Sequence, residues 1–287
     1  MNMGNVLFLN EISRKNLKEK DFEIFNDIFE WLSKKLIVIY PDTTSRYLKI
    51  FDHNDELDIL KLLEYFDTGI TDFVNESSSV EELNRYMEDD DYNHFINFVK
   101  NSTFLTEKIK KERIEVKGIL RSKRHLFQMK FDGTEWSIKK LLFKHGANSN
   151  LLFEFGDESD GTQRLIDLLG IIYDDTNDRT ILIDELDRSL HPQMTKKFIE
   201  TFFKLKKTHS NQLIITTHES SLLDLQLLRR DEIWFVERDK NYSSKLYSLE
   251  NFKVRFDKKK IDKDYLEGQY GAVPVFKDFD SYLGDEV

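Results

Sequence analysis

The chain has 287 residues, enough for one large hydrophobic core or two smaller ones, with 39% hydrophobic residues, 33% charged residues and 3 prolines. That balance excludes a disordered chain, and the absence of cysteine excludes disulfides and thiolate metal sites and favours an intracellular, cytoplasmic protein. A net charge of -10 argues against broad affinity for DNA or for acidic membranes, so charge does not indicate nucleic acid as a partner, although a local basic patch remains compatible with it.

The first ten residues lack a basic region followed by a long apolar run, so no secretory signal is expected, and no stretch has the length of a membrane-spanning helix. Asn101-Ser102-Thr103 is formally a glycosylation acceptor, but it carries no information in a cytosolic chain. Residues 1–117 read as mainly helical. Phe22, Ile24, Phe25, Ile28, Phe29, Trp31, Leu32 and Leu36 recur at helical spacing. Leu36 to Tyr40 is a short apolar strand closed by Pro41-Asp42, and Glu56 to Phe66 fits a helix broken by Thr68-Gly69. Residues 75–92, with Glu88-Asp89-Asp90-Asp91, read as a solvated acidic surface, and 105–117 as a helix or extended connector.

From about residue 118 the texture changes. His125 to Phe131 alternates like a half-buried strand, Asp132-Gly133 supplies a turn, and Trp136 to Phe143 returns. Then follow a helix (162–173), a strand (180–184), a helix (193–206), a strand (212–217), a short helix (220–228) and two strands (232–236 and 245–249). Apolar strands alternating with helices imply an α/β fold with a parallel sheet. Residues 253–287 form a charged tail holding Gly268-Gln269-Tyr270-Gly271-Ala272-Val273-Pro274. The expected division is therefore a helical region (1–117), a head (118–252) and a tail (253–287).

Three segments carry candidate chemistry. Ile181-Leu182-Ile183 runs straight into Asp184-Glu185. Buried strands do not normally end in two acids, because buried unpaired charge is costly, and a metal-bound phosphate removes the objection. Asp184 can then hold a Mg2+ shell, and Glu185 can orient and deprotonate an attacking water. Upstream, Glu158-Ser159-Asp160-Gly161-Thr162-Gln163-Arg164 leads into an apolar helix. A helix N-terminus favours phosphate, but a serine there is also an ordinary helix cap. Downstream, the apolar strand 212–217 ends in Thr216-Thr217-His218, and a histidine at a strand's carboxyl end points into the crevice where α/β sheets bind ligands or is merely structural.

Order and spacing of the three resemble the ABC-type AAA ATPase heads, including SMC-like and OLD-like proteins. Ser159 to Gln163 matches their signature motif, Ile181 to Glu185 the Walker B strand, Asp187 to Pro192 the D-loop, and His218 the switch histidine. The wording around these motifs, with Gly268 to Pro274, is similar to the C-terminal part of ATPases encoded beside prokaryotic anti-phage genes. The resemblance is strong over about 140–274 and weak before 118. It implies a P-loop NTPase fold preceded by a helical insertion, with ATP and Mg2+ as cofactors. Asp184 would position the metal, Glu185 would be the general base and His218 would sense the γ-phosphate. Ser159, Gly161 and Gln163 would serve a nucleotide in trans, and Ser189 and His191 would lie at a dimer seam. ATP-driven closure would control a partner such as a nuclease or another defence effector.

One part of the pattern is missing. No glycine is followed by lysine anywhere in the sequence, so there is no Gly-x-x-x-x-Gly-Lys-Ser/Thr phosphate loop, and the chain reads as if it starts partway through a head. The expected partner is a second copy or a complementing chain bearing that Walker A loop. The alternative is a dead remnant or regulatory half acting as a binding module. In related heads the strand feeding the phosphate loop lies between the two strands expected at 212–217 and 232–236. That slot is expected to be open or partner-filled, rather than filled by Leu36 to Tyr40 or closed directly.

Overall fold

The structure is a computed structural model and describes residues 23–41, 56–88, 92–93, 95–97, 116–122, 124–146, 151–173, 177–205, 210–252 and 261–274. The glycosylation triplet, Asp89 to Asp91 and most of the 105–117 connector lie outside these residues. In chain order the elements are α1 (Glu23–Glu30), continued by a π-helical turn, β1 (Leu36–Ile39), α2 (Glu56–Tyr65), β2 (Ile70–Ser78), β3 (Val116–Arg121), β4 (Leu126–Phe131) and β5 (Trp136–His145). Then come β6 (Leu152–Phe153), α3 (Asp160–Tyr173), β7 (Thr180–Ile183), α4 (Pro192–Leu205), β8 (Gln212–Ile215), β9 (Trp234–Arg238), β10 (Ser244–Ser248) and α5 (Ile261–Leu266). No helix among the described residues is long and apolar enough to cross a membrane. Two compact units divide the chain, Met1–Thr217 and His218–Val287.

The first unit holds two sheets. β1, β7 and β8 form a parallel sheet in that order, with Ile39, Ile183 and Ile215 level across it. Ile181 and Ile183 are buried, and so are Leu165, Ile166, Leu168, Leu169, Ile171 and Ile172 of α3, a helix apolar on nearly every side. On α4 the buried residues Thr195, Phe198, Ile199 and Phe202 recur as one helical stripe, and Pro192 opens the helix where its missing N–H costs nothing. The other sheet is antiparallel, ordered β2-β5-β4-β3 with β6 on β5. Phe127, Met129 and Ile138 pack with Leu83 and Phe95 in one cluster. Arg121 ties this sheet to α3: its guanidinium lies 4.4 Å over the Phe155 ring and 2.5 Å from the Asp167 carboxylate.

The segment before residue 118, expected to be mainly helical, thus gives a strand to each sheet. β2 was not expected, and its last residues, 75–78, enter the stretch expected to be solvated surface. Its apolar residues are out of step because the register shifts between Ile70 and Asp72, and a bulge hides the period-two pattern. Among the described strands it also pairs only with β5, as an edge strand that tolerates polar residues. β1 lies on the side of β7 away from β8, so Leu36 to Tyr40 does not extend the sheet beyond β8, and β8 and β9 belong to separate sheets.

The second unit is an antiparallel ribbon of β9 and β10 with α5. The charged tail expected after residue 252 contributes to its core. Ile261 and Tyr270 are buried with Ile233, Phe235 and Leu249, and Phe235 is stacked on both Tyr265 (5.5 Å) and Tyr270 (5.7 Å). The hydroxyl of Tyr247 donates to the Tyr270 carbonyl (2.8 Å) and that of Tyr265 to the Ala272 carbonyl (3.1 Å). Gly271 has φ 68°, and a Cβ there would meet the Tyr247 hydroxyl at 2.7 Å, which explains the second glycine of Gly-Gln-Tyr-Gly. The short helix expected at 220–228 is only a 3-10 turn, Ser220–Leu222. Asp224 accepts the Gln226 N–H with its side chain, a local bond that competes with helix continuation.

Two outcomes follow from this packing. Asp167→Ala strands the largely buried Arg121 and is expected to cost about 3–5 kcal/mol in urea denaturation, whereas Arg121→Met with Asp167→Leu restores most of it. In the β4–β5 turn, Asp132 accepts bonds from Thr134 Oγ1 and from the Thr134 and Glu135 amides, and these hold its carboxyl down to about 2. A lowered folded-state pKa gives stability present above the ordinary aspartate range and lost as pH falls through about 2. A carboxyl 13C titration should therefore find Asp132 ionised at pH 3.

Candidate functional site

Beyond Ile39, Ile183 and Ile215 the chain leaves the parallel sheet at the carboxyl ends of its strands, the usual ligand edge of an α/β sheet. Asp184 is the first residue past β7, and its N–H donates to the Ile39 carbonyl (2.8 Å), so its backbone is fixed by β1. From β8, Thr216 reaches across. Its N–H donates to the Ile183 carbonyl (3.0 Å) and its carbonyl accepts from Leu186 (3.0 Å). Its hydroxyl accepts the Glu185 N–H (2.9 Å) and donates to Asp184 Oδ1 (2.5 Å). Glu185 has φ 47°, a left-handed conformation that costs a non-glycine residue roughly 1–2 kcal/mol and persists only where neighbours over-determine it. Thr216 supplies that restraint. Both carboxylates are half-buried at the rim rather than sunk in the core.

The loop after Glu185 is a pair of tight turns. Arg188 N–H donates to Glu185 (3.0 Å) and Leu190 N–H to Asp187 (3.0 Å), with Leu186 and Leu190 buried as anchors. Ser189 is left-handed, with φ 62°, and its carbonyl is thrust against α3: a Cβ on Gly161 would lie 2.7 Å from it. Gly161, expected to serve a nucleotide in trans, is thus required by the chain's own D-loop segment. His191 ends the loop and starts α4, its carbonyl accepting from Met194 (2.8 Å) and Thr195 (3.1 Å) and its Nδ1 from Gln193 (3.3 Å).

Ser159 is the cap of α3. Its Oγ accepts the Thr162 N–H (3.1 Å) and its carbonyl the Gln163 N–H (2.9 Å). Gln163 Nε2 returns to the Glu158 carbonyl (2.9 Å), and the buried Glu158 carboxylate meets His145 Nε2 at 2.7 Å. Ser159 is exposed, with its hydroxyl held at the helix start.

The structure therefore brings Asp184 and Glu185 together with Thr216, and Ser189 against Gly161 beside Ser159. His218 begins the second unit and is exposed. Sequence reading passed over two contributors. Thr216 had a signal, a hydroxyl at the polar end of an apolar strand. The His145–Glu158 pair had none, because its partners are thirteen residues apart on different elements. Among the described residues no group of three or more His, Cys, Asp or Glu side chains could cage a metal. One or two carboxylates, with the remaining ligands from phosphate and water, are what Mg2+ accepts, so Asp184 and Glu185 fit a cation that arrives with nucleotide.

Gly161→Ala is expected to push back the Ser189 carbonyl and cost about 1–3 kcal/mol of stability, read by thermal melting. Amide exchange should rise at Arg188 and Leu190 more than in α4.

The profile of a protein family described as "AAA domain, putative AbiEii toxin, Type IV TA system" matches residues 11–224, most of the chain and all of the candidate site residues. The chain belongs to this family and carries a P-loop AAA-type ATPase domain. No curated protein matches it.

Proposed function

Proceeding from that family, we propose that the chain is the C-terminal part of an ABC-type ATPase head that works only when a phosphate loop is supplied to it. The observation that carries this reading is the knot at the carboxyl ends of the parallel strands, where Thr216 holds Asp184 and Glu185 at one rim. Asp184 is the residue to hold Mg2+, which supplies charge neutralisation at the phosphates when bound. Glu185 accepts the proton of the water that attacks the γ-phosphorus as the bond to ADP breaks. By the same resemblance, His218 is the residue that would sense the γ-phosphate. Ser159, Gly161 and Gln163 present the capped start of α3 to the nucleotide of a second subunit, and Ser189 and His191 line the seam.

A complementing segment would bring the Gly-Lys-Ser/Thr loop absent from this sequence, and a second head, whether a copy of this chain or of its relative, would bring the trans contacts. β8 favours a complementing strand. It pairs only with β7 among the described strands, and Ile214 on it is 41% exposed. Such an apolar edge is an aggregation hazard unless paired. Nucleotide-driven association would in turn control an effector, such as a nuclease, in anti-phage defence. That last step rests on the motif resemblance alone.

The purified chain is expected to hydrolyse ATP slowly or not at all, because phosphoryl transfer depends on positioning by the missing loop. With the complementing chain added, turnover should appear. Glu185→Gln should then trap ATP and accumulate dimers on size exclusion, while Ser159→Arg should prevent association. Robust Mg2+-dependent turnover by the chain alone, abolished by Glu185→Gln, overturns the need for a complement. Equal dimerisation of the two variants overturns the trans assignment.

A further inference from the structure

We infer that Thr216 sets the cation preference of this site by restricting Asp184 to ligation through one oxygen, which favours Mg2+ over Ca2+; the inference rests on the nucleotide-metal reading above.

The hydroxyl of Thr216 has a single proton, and its direction is decided by the backbone. The Glu185 N–H already donates to Oγ1 (2.9 Å), so that oxygen is an acceptor there, and its own proton goes to Asp184 Oδ1 (2.5 Å). Oδ1 is thereby committed, while Oδ2 has no hydrogen-bond partner among the described residues. Both residues are held from the backbone. Thr216 is held at both backbone atoms, by Ile183 and Leu186, and a β-branched residue is stiff at χ1. Asp184 is pinned to Ile39.

The carboxylate therefore offers an incoming cation one free oxygen in a fixed orientation. Ca2+ takes six to eight oxygens at about 2.3–2.6 Å and commonly chelates both oxygens of a carboxylate. Mg2+ takes single oxygens at about 2.0–2.1 Å in an octahedron completed by water and phosphate. No further cluster of carboxylates among the described residues could make up the larger number that Ca2+ prefers. A charge-assisted hydrogen bond on Oδ1 must be broken before both oxygens can turn to one ion.

The test uses the full chain labelled at isoleucine methyls, with Mn2+ as the probe in the presence and absence of ATP. Paramagnetic broadening at Ile183 and Ile215, which flank the knot in sequence, reports Mn2+ at the site, and Mg2+ or Ca2+ is then titrated to reverse it. In the wild type and in Thr216→Ser, Mg2+ is expected to reverse broadening at lower concentration than Ca2+. In Thr216→Val the ratio should move toward Ca2+ by roughly fivefold or more, the scale set by losing a hydrogen bond to a charged group. Thr216→Ala is the second hydroxyl-free variant, scored if the valine disturbs the methyl spectrum. If Mn2+ binds and the ratio is unchanged in a folded hydroxyl-free variant, the inference is overturned and the nucleotide-metal reading stands. If neither hydroxyl-free variant folds, the hydroxyl is structural and the inference again falls. If Mn2+ broadens nothing near Ile183 in the wild type, with or without ATP, both readings fall together.

Discussion

A single hydroxyl makes the acidic end of β7 tenable. Two adjacent carboxylates at the tip of an apolar strand would repel each other and lose part of their own hydration. Thr216 answers both problems from the neighbouring strand. It donates to one carboxylate and accepts from the backbone of the next residue, so the two acids are held in different ways by one side chain. The left-handed turn at Glu185 follows from the same bond, and that turn directs the chain into the loop that reaches Gly161. The register of β1, β7 and β8 is therefore a condition of the site. A slip of one residue would turn Thr216 to the other face and leave both acids unsupported.

The loop from Glu185 to His191 shows how local strain can be held without an unusual sequence. Neither Glu185 nor Ser189 is glycine, yet both have positive φ. Each is fixed at a different point: Glu185 by Thr216, Ser189 by the space that Gly161 leaves. The glycine thus serves a residue far from it in sequence rather than its own helix. The capped start of α3 and the rim of β7 are consequently joined by a short, tightly hydrogen-bonded segment of one chain.

Much of this was legible in the sequence, and the reasons are local. Continuous apolar runs identify β1, β7 and β8, because strands buried in a parallel sheet need no polar alternation. Asp132-Gly133 marks the hairpin because an aspartate side chain can take the turn's free amides. The serine before α3 reads as a cap and is one. What escaped depended on distant partners or on broken periods. β2 was hidden by its bulge. The helix expected after Ser220 was lost to a side-chain bond at Asp224. The tail beyond residue 252 is charged on average, but its few aromatics do the packing: Tyr265 and Tyr270 stack on Phe235 while Lys and Asp around them stay outside. Composition averages over a segment, whereas burial selects single residues within it.

The two units also differ in how their strands meet solvent. In β9 and β10 the residues alternate: Phe235 and Tyr247 turn to the aromatic cluster, while Trp234, Val236 and Leu246 are more than half exposed. Val236 stands directly across from Leu246, so the exposed side chains form a continuous apolar strip instead of scattered singles. β8 has a related feature in Ile214. A ribbon of two strands rarely holds its shape without a covering layer. Here the aromatic cluster covers one face, and the strap from Gly268 to Ala272 locks it there through the two tyrosine hydroxyls. The opposite face has no such strap among the described residues. The ribbon is therefore packed through one face by aromatic rings, while the side chains of its other face, Trp234, Val236 and Leu246, stand outside that cluster.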